Sequence, residues 1–389
     1  MPSTASDMKI LYTNFHSGPD IGGHTTYVSR LAAGLSKRYR VAVAAPAGSA
    51  LHGLAQAMPN VSAHAQDYPS RLTRLPAALR TMRALLQREG FDIVHVNGSA
   101  DHRLVSLASL FLKRKPRVVF TKHNNIPISR FSARIRARVT DHVIAVCKHV
   151  EREVKRSPYG ACDVSTVFNG VDTTHFSPYE AADAARHREA LVGPAAHGRI
   201  LLGSNAGTAS YKSWLDLVRA VALLPAEVAD RFHIALAGEK FSRSQETELE
   251  ALGMTSRVTH VGSLRDVRDF VSAIDVGFVL STRVETISFA CREMMAMGKP
   301  VIVSDYAGLP ENITPGVDGW VVPPAGPQAL AALLHKLSAG AYDLPAMGRA
   351  ARAKSQKSFG LGPFLESTAY VYRSTLPPQA VGHELQGLM

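Results

Sequence analysis

Cysteine is scarce in this sequence: Cys147, Cys162 and Cys291 are the only 3 in 389 residues. They stand far apart with no CxxC spacing, so neither a zinc site nor a disulfide framework is indicated, and a reducing cytoplasm fits. Long apolar runs are missing too, and none approaches the roughly 18 residues that span a bilayer. The opening MPSTASDMKILYTNF has no basic segment leading into a long apolar stretch, so it does not read as a signal peptide. Met8 begins the first strand-like run, and residues 1–7 are expected to be a disordered leader. Acidic residues are thin in the first half, where residues 1–175 hold 24 Lys and Arg against 11 Asp and Glu. The second half is close to neutral, so the overall charge of +12 belongs to the first.

That positive charge is clustered. The groups are Arg71/Arg74/Arg80/Arg83, Lys113–Lys115 with Arg117, and Arg130/Arg134/Arg136/Arg138. Such a field suits an anionic partner: a phosphate-bearing acceptor or an acidic membrane surface. Solvated helix faces would account for it equally well. Nucleic acid is not expected as a partner, because no aromatic stacking platform accompanies the charge.

The hydrophobic fraction of 46% and the length are those of an ordinary globular chain with two domains. Short apolar, β-branched runs alternate with helical patterns. In the first half the strands are expected at 9–13, 41–45, 92–96, 117–121, 142–146 and 164–168. In the second they are expected at 200–203, 233–237, 258–261, 276–280, 300–304 and 319–322. This alternation predicts parallel sheets covered on both faces. The domains are expected at 8–180 and 181–362, with a final helix over 363–376 completing the first and a loose tail after it. In doubly wound sheets the functional residues follow the carboxyl ends of strands.

Several residues satisfy that rule. The loop from Gly18 to His24, with Gly22 and Gly23, lies between the first strand and a helix, where glycine admits close approach of phosphate. It is not GxGxxG, and a tight turn without a ligand fits as well. His123 emerges at the end of VVFTKHNN and can meet a sugar hydroxyl or developing charge, although a strand-capping histidine looks the same. Lys212 follows a Gly/Ser/Asn-rich loop and can neutralise phosphate. In STRVETISFACREMMAMGKP a strand leads to Glu285 and then to a helix carrying Glu293. The two carboxylates would sit about two turns apart if both were helical. The backbone of Ile287, Ser288 and Phe289 at that helix start suits a diphosphate. An ordinary amphipathic helix is the simpler explanation for two glutamates at this spacing.

Taken in order, IGGHTTYVSRLAAGLSKRYRVAV, FDIVHVN, VVFTKHNN, DHVIAVCKHV, VFNGVDTTHFSP, ETISFACREMMAMGKPVIVSD and GLPENI/GVDGWVVPP resemble the retaining GT-B glycosyltransferases, in particular family 4. The resemblance runs from about Met8 to Tyr372. It implies an α/β fold of GT-B architecture: two facing Rossmann-like, doubly wound parallel-sheet domains. It implies a retaining transferase that moves a sugar from a nucleotide-diphosphate sugar, of UDP or GDP type, to a glycan or lipid-linked acceptor in cell-envelope polysaccharide or lipopolysaccharide biosynthesis. His123 and Glu285 would be the catalytic pair. Gly22, Gly23, Lys212, Leu264, Arg265, Ile287, Ser288, Phe289 and Glu293 would hold the donor, with residues 262–265 along the base. No cofactor is implied, and no metal, since the chain has no DxD. The place of action would be the cytoplasm, peripheral on the inner membrane face. An epimerase, a phosphorylase or a non-catalytic nucleotide-sugar scaffold are the alternatives. One departure stands out: where the family commonly carries an arginine about five residues before the loop lysine, this chain has Gly207. Either Lys212 with Lys240 stabilises the diphosphate, or the donor is held less tightly, or its phosphates sit differently.

Overall fold

The computed structural model describes residues 8–377 apart from Asp20, Phe111 and Val284. The expected leader at 1–7, the tail from 378 and the Asp20 position of the glycine loop lie outside the described residues. The chain divides into two compact units, one ending at Gly170 and resumed at Leu361, the other running Val171–Gly360.

The first unit holds a parallel sheet of β1 (Lys9–Thr13), β2 (Arg40–Ala45), β3 (Val61–Ala65), β4 (Ile93–Val96), β5 (Arg117–Lys122), β6 (His142–Ala145) and β7 (Asp163–Thr166). Its order is β3-β2-β1-β4-β5-β6-β7, so the winding reverses between β1 and β4. The second unit holds β8 (Ile200–Ser204), β9 (Phe232–Ala237), β10 (Val258–Gly262), β11 (Val276–Val279), β12 (Val301–Ser304) and β13 (Gly319–Val322). Its order, β10-β9-β8-β11-β12-β13, reverses between β8 and β11. Every pairing in both sheets is parallel. This is the two-domain GT-B architecture of doubly wound sheets.

The central strands are buried along their whole length because helices cover both faces, which is why they read as continuous apolar runs. β3 went unread in the sequence for a related reason. It is an edge strand that pairs only with β2, and VSAHA is mostly half-exposed with one β-branched residue. The final helix, Leu361–Thr375, belongs to the first unit. Phe364, Ala369, Val371 and Tyr372 enter its core beside Tyr12, Tyr27 and Leu31. A Cβ at Gly170 would meet Phe364 at 2.9 Å, so the chain can leave the first unit tight against the helix that later closes it. Val171 N–H then donates to Phe359 O at 2.7 Å, where the outgoing and returning strands meet.

Candidate active site

In the second unit the loops after β8 and β11 face each other across the reversal point of the sheet. Lys212 Nζ lies 2.6 Å from Glu285 Oε2, and Ser281 Oγ donates to the same oxygen at 3.1 Å. Both side chains are largely withdrawn from solvent, at 16% and 12% exposure, so this is not a loose surface pair. The loops are further tied by Thr282 N–H to Tyr211 O at 3.0 Å and by the Ser213 and Thr282 hydroxyls at 3.1 Å. Asn205, just past β8, donates its amide to Glu293 Oε2 at 2.9 Å. The structure therefore brings Lys212 to Glu285 and holds Glu293 from the same β8 loop.

The helix begins at Phe289, so Glu285 stands in the turn ahead of it rather than on it, and the two-turn spacing does not apply. Ser288 is the N-cap, at φ +49, with its hydroxyl accepting from Cys291 N–H at 3.3 Å. A non-glycine residue there is strained, and its neighbours hold it: buried Asn312 donates to Ile287 O at 2.9 Å. The Ile287 and Ser288 side chains are buried, so any ligand meets them through backbone. Leu264 and Arg265 lie in the loop after β10, half-buried and exposed respectively. That loop is joined to the one after β9 by Gly238 N–H to Gly262 O at 2.9 Å.

Gly207 has a physical reason. Its φ is +90, which an arginine would adopt only under strain, and a Cβ on Gly238 would meet Gly207 Cα at 2.8 Å. The loops after β8 and β9 touch backbone to backbone where the family arginine would start. Lys240 is exposed two residues beyond Gly238.

In the first unit the glycine loop and His123 sit together. The helix Gly23–Leu35 starts after Gly22, which offers no side-chain cap. Gly22 has an ordinary φ of −88, and a Cβ there would meet no atom within 4 Å, so neither conformation nor crowding requires glycine. The His24 ring is 4.2 Å from that of His123 and 4.8 Å from that of His16, and Tyr27 meets His123 edge-on at 4.5 Å. Burial holds the His123 imidazole well below its ordinary range and lowers His24 to about 4. Beneath them His95 Nδ1 meets Tyr372 Oη at 2.5 Å and its Nε2 meets Thr121 Oγ1 at 2.6 Å, with burial lowering this imidazole to about 3. His16, His95 and Asn97 were not singled out from sequence, although each falls at or just past a strand end, and His24 was noted only as the end of the glycine loop. Among the described residues, no three His, Cys, Asp or Glu side chains are grouped to hold a metal ion, and no helix is long and apolar enough to cross a membrane.

Two family models match the chain. One described as Glycosyltransferase Family 4 covers residues 21–175, and one described as Glycosyl transferases group 1 covers residues 199–339. The amylovoran biosynthesis glycosyltransferase AmsK of Erwinia amylovora is 45% identical over 75 residues, 19% of this chain and 18% of that protein. The lipopolysaccharide core biosynthesis mannosyltransferase LpsB of Rhizobium meliloti is 26% identical over 68% of this chain and 74% of its own length. Among solved structures, Anabaena HepE in complex with UDP superposes with a TM-score of 0.81 at 19% identity, covering 94% of this chain and all of that one.

Proposed function

This chain belongs to the glycosyltransferases of family 4 and group 1, and we propose that it transfers a sugar, with retention, from a nucleoside-diphosphate sugar to a cell-envelope glycan precursor. The observation that carries the reading is the pairing of Lys212 with Glu285, beside Asn205 and Glu293, at the reversal point of a nucleotide-type sheet. In this reading Lys212 releases Glu285 to the sugar and turns its charge to the leaving diphosphate. Glu293 accepts from the ribose diol, and backbone amides at 287–289 meet sugar and phosphate. Residues 262–265 line the base. Within the first unit, Gly22 and Gly23 are the candidates for meeting phosphate and His123 for meeting a sugar hydroxyl. The acceptor hydroxyl attacks on the face from which the diphosphate leaves, and the leaving phosphate oxygen takes its proton. No covalent adduct with a carboxylate is invoked. Protein cations and helix amides stabilise the leaving group, without a metal ion.

The HepE complex with UDP supports a uridine donor, with guanosine the second choice. A thermal-shift panel of UDP-, GDP-, ADP- and CMP-sugars tests the reading. Donor at 100 times its dissociation constant stabilises the fold by roughly 2.7 kcal/mol, and a panel with no shift would refute nucleotide-sugar binding.

The place of action is the cytoplasmic membrane face. The helix Arg130–Ala137 with Arg138 exposes Arg130, Phe131, Arg134, Ile135 and Arg138, while Ala133 is buried. At about 100° per residue these five form one continuous sector. Phe131 is 79% exposed and Ile135 50%, an arrangement suited to the interface of an anionic bilayer. Arg136 does not share that face: it turns inward to Tyr159 Oη at 3.0 Å.

A further inference from the structure

The inward side of that same helix walls a cavity of about 440 Å³ at the carboxyl ends of β4 and β5. Asn97 to Ala100, His24, Lys122, His123, Ser132 and Arg136 line it, with Phe120, Ile126, Pro127 and Ile128 supplying an apolar side. Among the described residues no aspartate or glutamate lines it. Lys122 Nζ donates only to neutral oxygens, Asn124 Oδ1 at 2.6 Å and Ile126 O at 2.8 Å. Arg136 likewise donates to Tyr159 Oη and to Ser132 Oγ at 3.3 Å. Among the described residues neither cation has a carboxylate partner. The buried Nδ1 of His24 has no hydrogen-bond partner there either.

Concentrating two cations in a part-buried hollow with no counter-ion is unfavourable. Burial holds the Lys122 ammonium down at about 8, and the proximity of Lys122 helps depress His24. A different hollow in this unit shows the contrast. It lies at the opposite edge of the sheet, and its Arg114 and Arg117 are paired with Asp92 and Asp141 at 2.5 and 2.7 Å.

We propose that the β4–β5 cavity is the acceptor site and that it is built for a phosphate-bearing acceptor, with the phosphate at Lys122 and Arg136 and an apolar portion along Ile126, Pro127 and Ile128. The assignment of the ligand as acceptor rests on the glycosyltransferase reading; the anion site itself does not. A phosphate there supplies the missing counter-charge and can accept from His24, while the membrane-facing sector on the far side of the wall suits delivery from a lipid surface.

The test is calorimetric titration of the full chain, without donor, using hexyl phosphate, glucose 1-phosphate and hexyl glucoside. A phosphate ester should bind, and the neutral glucoside should bind at least tenfold more weakly. Tighter hexyl phosphate identifies a lipid-borne phosphate, and tighter glucose 1-phosphate a soluble one. Ser132→Glu sets a carboxylate four residues from Arg136 on one helix face and should weaken either ester at least tenfold, as should Lys122→Gln, with Lys122→Arg restoring binding. UDP binding by the same variants reports that they are folded. Equal binding of glucoside and phosphate, or affinity indifferent to Ser132→Glu in a variant that still binds UDP, overturns the proposal. A wild type that binds phosphate esters but no nucleotide would remove the transferase reading and leave the anion site standing.

Discussion

Asn97 Oδ1 stands 2.9 Å from His123 Nε2, and the Asn97 amide nitrogen is already committed to Thr13 O at 3.0 Å and His95 O at 3.3 Å. A carbonyl oxygen only accepts, so His123 carries its proton on Nε2 and its Nδ1 is the accepting nitrogen. Asn97 is thereby a positioning residue: it sets the tautomer, and burial keeps the ring neutral. Replacing Asn97 with Asp puts a negative oxygen against Nε2 and favours the imidazolium. The acid limb of the kcat/KM profile should move to higher pH by about a unit, which is roughly 1.4 kcal/mol of differential stabilisation. An unmoved pH profile in a folded Asn97→Asp enzyme would show that this contact does not govern the histidine.

The Lys212–Glu285 pair predicts asymmetric losses. Glu285→Ala leaves Lys212 in a largely enclosed site without its counter-charge, and transferase turnover should fall on the order of 10²-fold or more. Glu285→Gln keeps the shape and should retain donor binding while losing most of that rate. Initial rates beside nucleotide titrations separate the two effects. Rates equal to wild type in both variants would take Glu285 out of the site.

Glu293 is predicted to act on binding rather than on chemistry. Glu293→Gln replaces one ribose acceptor by a donor and should raise the dissociation constant for the nucleoside diphosphate about tenfold, roughly 1.4 kcal/mol. The corresponding change in kcat should be small. Calorimetry with UDP and GDP reads this directly, and an unchanged affinity for both would reassign Glu293 to a purely structural role with Asn205.

Acid should weaken the first unit. His24, His95 and His123 all have imidazoles depressed by burial, so the unfolded chain takes up protons first as pH falls below about 6.5. Each contributes full stability above that value and loses it progressively, His24 down to about 4 and His95 to about 3. Asp101 runs the other way: burial raises it to about 6, so its protonation on acidification offsets part of the loss. His16, His64, His102 and His142 are depressed by burial as well, so the net is a fall. Melting temperature recorded from pH 7.5 to 5 should drop, and His24→Gln should flatten the slope. A melting temperature that rises on acidification would contradict the burial of these rings.

The exposed sector of the helix Arg130–Ala137 makes a prediction separable from catalysis. Phe131→Ser with Ile135→Ser should reduce co-sedimentation with anionic vesicles, as should Arg130→Glu with Arg134→Glu. UDP binding should stay as in the wild type. Binding to neutral phosphatidylcholine vesicles should be weak throughout, and equal binding to both vesicle types would exclude charge recognition.

The strand pattern was readable because periodicity and β-branched content are local properties. All six strands expected in the second unit formed, within a residue at most ends, and so did six of the seven in the first. β3 escaped because an edge strand is stabilised by its one neighbour, β2, rather than by its own apolar content. Residues at strand ends could be named as candidates for the same local reason, since a doubly wound sheet gathers those loops at one edge. Their partners could not. Nothing near Glu285 in sequence announces Lys212, 73 positions earlier, nor does the run Arg130 to Arg138 show that Arg136 alone turns inward.

By itself, then, the amino-acid order determined the alternation of strands and helices, the two-sheet architecture and which side chains reach the carboxyl edges. Tertiary structure alone decided how those side chains pair: the His24–His123 ring contact beside Asn97, the Lys212–Glu285 contact, and a hollow whose described lining holds two cations and no carboxylate. The division is physical. The preference for helix or strand is set by residues within about a dozen positions, whereas charge and proton placement depend on loops whose course is set only when distant strands align side by side.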